Sequence, residues 1–321
     1  RTMTYNIQED VYLCLISIVA FFLTDQTFKV IGWFPKDRTA RYLSMHVICN
    51  SIVTVMAFRD TALVYFQPIE DTIMAASTDA KPCMIIAALH IYHILMCKFQ
   101  LPMVDWVHHI LMVVITLPLA YSLQPGPLLN HGAWFASGFP GGTDYVMLVC
   151  VKKGWMDTMT EKDWNSSVQT WIRNPGMLYH CLLTWMGYCY VRSDPKVWEA
   201  ALGKACFTTE LGFQIGVFFT MVSYYWNGPY FQARVVDNFA RKDYPIKFLK
   251  KVRKKYGENS KEYTAALSSN ELLKKESKRG PSDLKPTSTS FPYNELKKQA
   301  ASANCMDGGE SPERKTSKKR N

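Results

Sequence analysis

Two adjacent histidines, His108 and His109, stand inside an apolar run from Leu101 to Tyr121, and Asp105 precedes them by three and four residues. On a helix that spacing lets the carboxylate face either imidazole. An aspartate at the centre of a bilayer costs roughly 2.5–3.5 kcal/mol on insertion scales, so an acid kept there marks a functional site. A carboxylate bonded to an imidazole orients the ring and raises its basicity, which is the chemistry of a general base. More protonatable groups sit in neighbouring apolar stretches: His90 and His93 three apart, then His131, Asp144 and Glu210. Together they predict a polar cavity between helices; buried polar side chains that merely join helices are the plainer alternative. Membrane di-iron enzymes gather fuller clusters of the His-x-x-His-His kind. Here only His-x-x-His and His-His occur, so no catalytic metal is expected. The nine cysteines show no CxxC pairing and read as small packing residues.

The elements that must hold these groups are seven apolar stretches, at about 11–24, 42–58, 82–97, 101–121, 128–151, 175–191 and 205–226. Several are shorter than the ~20 residues of a straight span. The fifth contains Gly138-Phe139-Pro140-Gly141-Gly142-Thr143-Asp144-Tyr145, a sequence foreign to a lipid-facing helix. A broken helix at membrane depth requires protein or a cavity around it. Gly141 and Gly142 would let a substrate headgroup approach main-chain amides, or would simply form a loop. With the C-terminus in the cytosol, the inside loops carry nine Lys and Arg against six outside, in keeping with the positive-inside rule.

Charge separates the chain into two parts. Beyond residue 240 lie 21 basic and 10 acidic residues, so the tail carries +11 of the net +10 and the first 240 residues carry −1. This split predicts a membrane domain over 1–240 and a basic, largely disordered cytosolic tail over 241–321 that meets anionic headgroups. The tail has no folded recognition motif, so nucleic acid is not an expected partner. Residues 247–256 are expected to continue the last helix along the membrane surface. The ending Lys318-Lys319-Arg320-Asn321 resembles a dilysine retrieval signal of the endoplasmic reticulum. Arg1 is no initiator, which suggests that the natural N-terminus lies upstream.

The run from Val104 to Gly154 resembles the TLC domain of the TRAM, Lag1 and CLN8 group, whose best-studied members are ceramide synthases. The matching residues are His108-His109, Tyr121-Ser122, Gly126, and Thr143-Asp144-Tyr145 leading into Lys152-Lys153. Ceramide synthases carry His-Asp shortly before the second Asp, where this chain has Pro140-Gly141-Gly142. From Val146 to Val151 no acid follows. The missing acid–base partner would then come from His131 or Glu210.

The expected fold is therefore all-α, a polytopic membrane protein of about seven transmembrane helices with a six-helix barrel around a polar cavity. The resemblance implies an acyl-CoA-dependent N- or O-acyltransferase in which His108, His109, Asp105 and Asp144 are catalytic. His90, His93, His131, Gly141, Gly142, Tyr145, Arg173 and Glu210 would bind substrate, with Arg173 and the Lys152-Lys153 pair receiving phosphates. Acyl-CoA enters as a co-substrate, and no bound cofactor is expected. Membrane lipids are the expected partners, and a homodimer the expected assembly. The alternative is a lipid-binding or lipid-sensing protein of the same fold without turnover.

Overall fold

The structure, a computed structural model, describes residues 6–74, 79–123, 126–195, 209–257 and 259–268. These are mostly helical, and none of them lies in a strand. Packing divides the chain into a unit ending at Ile246 and a second from Lys247 onward. The first unit is built from α1 (Ile7–Val30), α2 (Arg38–Phe66), α3 (Ile69–Met74), α4 (Lys81–Met96), α5 (Met103–Leu123), α6 (Gly126–Ala136), α7 (Phe139–Lys153), α8 (Thr158–Val168) and α9 (Asn174–Ser193). The helix α10 (Glu210–Tyr256) is 47 residues long and includes the basic stretch 247–256. A short helix, α11, covers 261–268. The tail beyond 268, with its dilysine-like ending, lies outside the described residues.

Local chemistry sets the helix boundaries. Asn6, Asp37 and Asp157 cap α1, α2 and α8 by accepting from backbone N–H groups of the first turn. Pro82, Pro140 and Pro175 sit in the first turns of α4, α7 and α9, where a missing N–H costs nothing. Gly154 closes α7 in the left-handed region (φ 73°), while the Trp155 N–H returns to the Cys150 carbonyl.

Two helices are wound more loosely over part of their length. Within α5, His109–Thr116 form a π-helix, and Gln169–Arg173 form another that joins α8 to α9. Each includes the residue four before a proline, Val114 before Pro118 and Trp171 before Pro175. A proline ring collides with that carbonyl and offers it no N–H, so a wider turn relieves both problems.

Three helices, α1, α2 and α5, are long and apolar enough to cross a membrane, and α4 is a shorter apolar helix. Their outward residues include Val11, Leu15, Val19 and Phe22 on α1 and Val107, Ile110 and Val114 on α5, all exposed. This composition is compatible with an integral membrane protein. The two aspartates of α1, Asp10 and Asp25, turn inward and are partnered. Asp25 accepts from Arg41 Nε at 2.6 Å, and Asp10 accepts from the Tyr121 hydroxyl at 2.7 Å. Around Met45, Cys49, Val53, Leu89, Leu129 and Met177 the helices α2, α4, α6 and α9 share one core. The fifth apolar stretch is broken as its sequence suggests, with a turn at Ser137-Gly138 between α6 and α7.

Candidate functional site

Five histidines from three helices meet inside this unit: His46 on α2, His90 and His93 on α4, and His108 and His109 on α5. Ring centroids of His90, His108 and His109 are 5.2–5.6 Å apart. His93 lies 5.2 Å from His109, and His46 lies 5.8 Å from His90. Two tyrosines close the group. Tyr42 stacks on His93 at 3.5 Å, and Tyr145 of α7 sits 4.0 Å from His46.

A shared hydrogen-bond pattern fixes three of these rings. His46 Nδ1 faces the Tyr42 carbonyl at 3.3 Å, His90 Nδ1 the Ile86 carbonyl at 2.8 Å, and His109 Nδ1 the Asp105 carbonyl at 2.5 Å. In each case the partner is the backbone oxygen one turn earlier on the same helix. A carbonyl only accepts, so each Nδ1 carries the hydrogen and each uncharged ring keeps its lone pair on Nε2. The Nε2 of His46 then accepts from the Tyr42 hydroxyl at 3.1 Å. His109 Nε2 faces His93 Nδ1 at 3.3 Å.

His108 points elsewhere. Its ring meets Phe231 of α10 edge-on at 5.2 Å and lies beside Asn227. Although these two polar side chains are neighbours, neither His108 Nδ1 nor Asn227 Oδ1 completes a hydrogen bond of good geometry.

A second polar group adjoins the first through Asp144 and Tyr145. Asp144 accepts from Asn165 Nδ2 at 2.6 Å. Asn165 also bonds Glu161 and Gln169, each at 3.2 Å. Arg173 reaches Gln169 Oε1 at 3.4 Å and the Ala136 carbonyl at 2.5 Å, while its buried Nε has no partner. Lys162 pairs with Glu161 at 2.8 Å. Glu161, Asn165, Gln169 and Arg173 recur every fourth residue, a spacing that lines one side of a helix. Among the described residues, no three His, Cys, Asp or Glu side chains are grouped as the donors of a metal ion would be.

The structure thus unites His90, His93, His108, His109 and Tyr145, and gives the other predicted residues different surroundings. The Asp105 carboxylate bonds neither imidazole; its backbone carbonyl orients His109. Asp144 turns toward α8 rather than toward a histidine. His131 belongs to a separate buried group, 3.3 Å from His180 Nδ1 and 3.3 Å from the Tyr65 hydroxyl. Glu210 is half exposed at the start of α10 and pairs with Arg192 at 2.7 Å, so it supplies no acid to the core. Gly141 and Gly142 form the first turn of α7 against Asn50, whose Nδ2 would lie 3.1 Å from a Cβ at Gly141. Residues 158–173, between the fifth and sixth apolar stretches, are helical and bury Glu161, Asn165 and Gln169.

Sequence reasoning left His46, Tyr42 and Asn227 outside the site. His46 carries a signal, a lone imidazole in an apolar stretch; Tyr42 and Asn227 carry none beyond their place on helices. Compared with known protein families, curated proteins and solved structures, this chain matches none.

Proposed function

We propose that this chain is a lipid-handling membrane protein of the endoplasmic reticulum, built on a TLC-type six-helix barrel within about seven spans, with its basic tail in the cytosol. In this reading it transfers an acyl group from acyl-CoA to an amine or hydroxyl of a lipid acceptor. One observation carries it: five imidazoles from three helices converge in an apolar bundle, three of them anchored through Nδ1 so that Nε2 is the basic atom. An imidazole titrates near neutral pH and serves as general base with little tuning. The base takes the proton of the acceptor N–H or O–H, and the freed lone pair attacks the thioester carbonyl. The C–S bond breaks, and the imidazolium returns the proton to the departing thiolate. Arg173, with its unpartnered Nε, is the cation on hand for an anionic substrate group.

Purified protein in detergent, offered several acyl-CoAs with long-chain amine and lysolipid acceptors, tests this directly. Product from the wild type that is lost in His108→Ala/His109→Ala supports an acyltransferase. Unchanged product in that variant refutes it.

The second reading, lipid binding without turnover, is favoured by the two carboxylates that stand apart from the imidazoles and by Pro140-Gly141-Gly142 in place of a catalytic His-Asp. Native mass spectrometry of folded protein distinguishes it. Co-purified lipid with no product across acceptors fits binding alone, and absence of lipid argues against it.

A further inference from the structure

The hydrogen bonds of His109 leave it no free nitrogen, and they assign a different role to its neighbour on α4. His109 Nδ1 must donate to the Asp105 carbonyl, because that oxygen can only accept. An uncharged His109 then has only a lone pair at Nε2, so the 3.3 Å contact with His93 Nδ1 runs one way, from the His93 N–H to His109. His93 is left with its own lone pair on Nε2. Among the described residues that atom has no hydrogen-bond partner, and unlike His108 Nδ1 it is not fully buried.

We infer that His93 Nε2 is the atom that accepts the proton, and that His109 is a positioning residue acting through it in a carbonyl–His109–His93 relay. This rests on the acyl-transfer reading above and names the base within it. The chemistry separates His93 from the other rings. His46 and His90 donate Nδ1–H to an amide oxygen, a poor base, whereas His93 donates to an imidazole nitrogen, a good one. When His93 Nε2 takes the acceptor's proton, the new charge is shared along the Nδ1–H···Nε2 bond, and His109 can accept that proton while its own Nδ1–H stays on the Asp105 carbonyl. An orienting partner on the far nitrogen strengthens a general base in the same way a buried carboxylate does. Tyr42 covers one face of His93 at 3.5 Å and keeps the ring plane fixed, its own hydroxyl being held by His46.

Two measurements on full-length protein in detergent separate this inference from the reading beneath it. The first needs no turnover. Diethyl pyrocarbonate acylates basic imidazole nitrogens, and peptide mass spectrometry reports which rings react. His93 is expected to react well ahead of His109. His109→Leu, which removes the acceptor, should slow His93 several-fold. His109→Gln, which can return a side-chain oxygen to that position, should restore most of the rate. Equal His93 rates in the wild type and both variants would overturn the relay.

The second measurement is acyl transfer. His93→Ala should lower kcat by about 10²-fold or more, the usual contribution of a general base, and added imidazole should recover part of the loss. His109→Leu should lower kcat with KM little changed, and His109→Gln should recover part of it. Wild-type transfer that survives His93→Ala overturns the relay and leaves the acyltransferase standing. No transfer by the wild type, with His93 labelling still governed by His109, removes the acyltransferase and keeps the relay as the geometry of the site.

Discussion

Gly176, at the start of α9, has no room for a methyl group. A Cβ built there would lie 2.1 Å from both Cδ1 and Cε1 of Phe135 and 2.6 Å from its Cγ. Carbon atoms rest about 3.5–4.0 Å apart, so the ring would have to retreat by roughly 1.4 Å. It has little space for that. Trp134 stands edge-on at 4.7 Å and His131 at 4.9 Å, and the Ala136 carbonyl beside it is tied to Arg173. Overpacked sites usually cost about 1–3 kcal/mol, and an aromatic ring struck at three atoms belongs at the top of that range. Gly176→Ala should therefore destabilise by about 3 kcal/mol, which for a domain of this size lowers the melting temperature by roughly 6–12 °C. Buried Cys49 and Cys83 provide the assay, because a thiol-reactive fluorophore reports their exposure on heating above the baseline of exposed Cys189. Removing the obstacle should help: Gly176→Ala/Phe135→Leu should be more stable than the sum of the two single changes. A Gly176→Ala melting point within about 1 °C of wild type, or strict additivity in the double variant, would refute the steric argument.

Other changes probe the polar contacts between helices. Asp25→Asn leaves the buried Arg41 guanidinium with only the Phe34 and Pro35 carbonyls and a neutral amide, and should cost about 3–5 kcal/mol by thermal unfolding. The pair Asp25→Leu/Arg41→Met should recover most of that loss. Asn165→Leu strips Asp144 of its 2.6 Å donor and should cost about 1.5–3 kcal/mol in the same assay. Asp37, the cap of α2, is held below the usual carboxylate range by the Ala40 N–H and, to a lesser degree, by Lys152. Asp37→Ala should cost about 1 kcal/mol near neutral pH. Because the folded-state pKa is depressed, the cap's contribution is full above the ordinary aspartate pKa of about 3.9 and disappears as pH falls through the lower folded value, so melting curves of wild type and variant should converge there.

Much of the architecture follows from patterns that a sequence displays. Apolar stretches at 42–58, 82–97 and 101–121 lie on α2, α4 and α5, and the break in the fifth falls at Ser137-Gly138, just before Phe139-Pro140. The placement of His90 and His93 beside the His108-His109 pair was likewise legible, since isolated polar groups in apolar helices seek one another. Other features were present but misleading. Glu161, Asn165, Gln169 and Arg173 recur every four residues, a helical spacing, yet only Arg173 stood out in the sequence, because polar residues in a polar stretch do not announce burial until tertiary contacts decide. Gly141-Gly142 read as an opening for a ligand because a glycine pair serves close approach of any kind, and here the approaching group is Asn50. Nothing in the sequence reports that Asp105 acts through its carbonyl. That choice depends on the rotamer of His109 and on the π-helix that begins there.

The adjacency of His108 and His109 suggests one functional unit, and helix geometry argues against it. Successive residues on a helix point about 100° apart. His109 therefore turns toward α4, where it is buried with both nitrogens engaged, while His108 turns toward Phe231 and Asn227 on α10. The residue that shares a proton path with His109 lies sixteen positions earlier, at His93. A ring bonded to its own helix at Nδ1 needs only one partner from outside, so imidazoles can gather in an apolar bundle without a carboxylate for each. The carbonyls one turn back orient His46, His90 and His109, a role the sequence suggests for the Asp105 carboxylate at His109 alone, and they leave each uncharged ring its lone pair on Nε2.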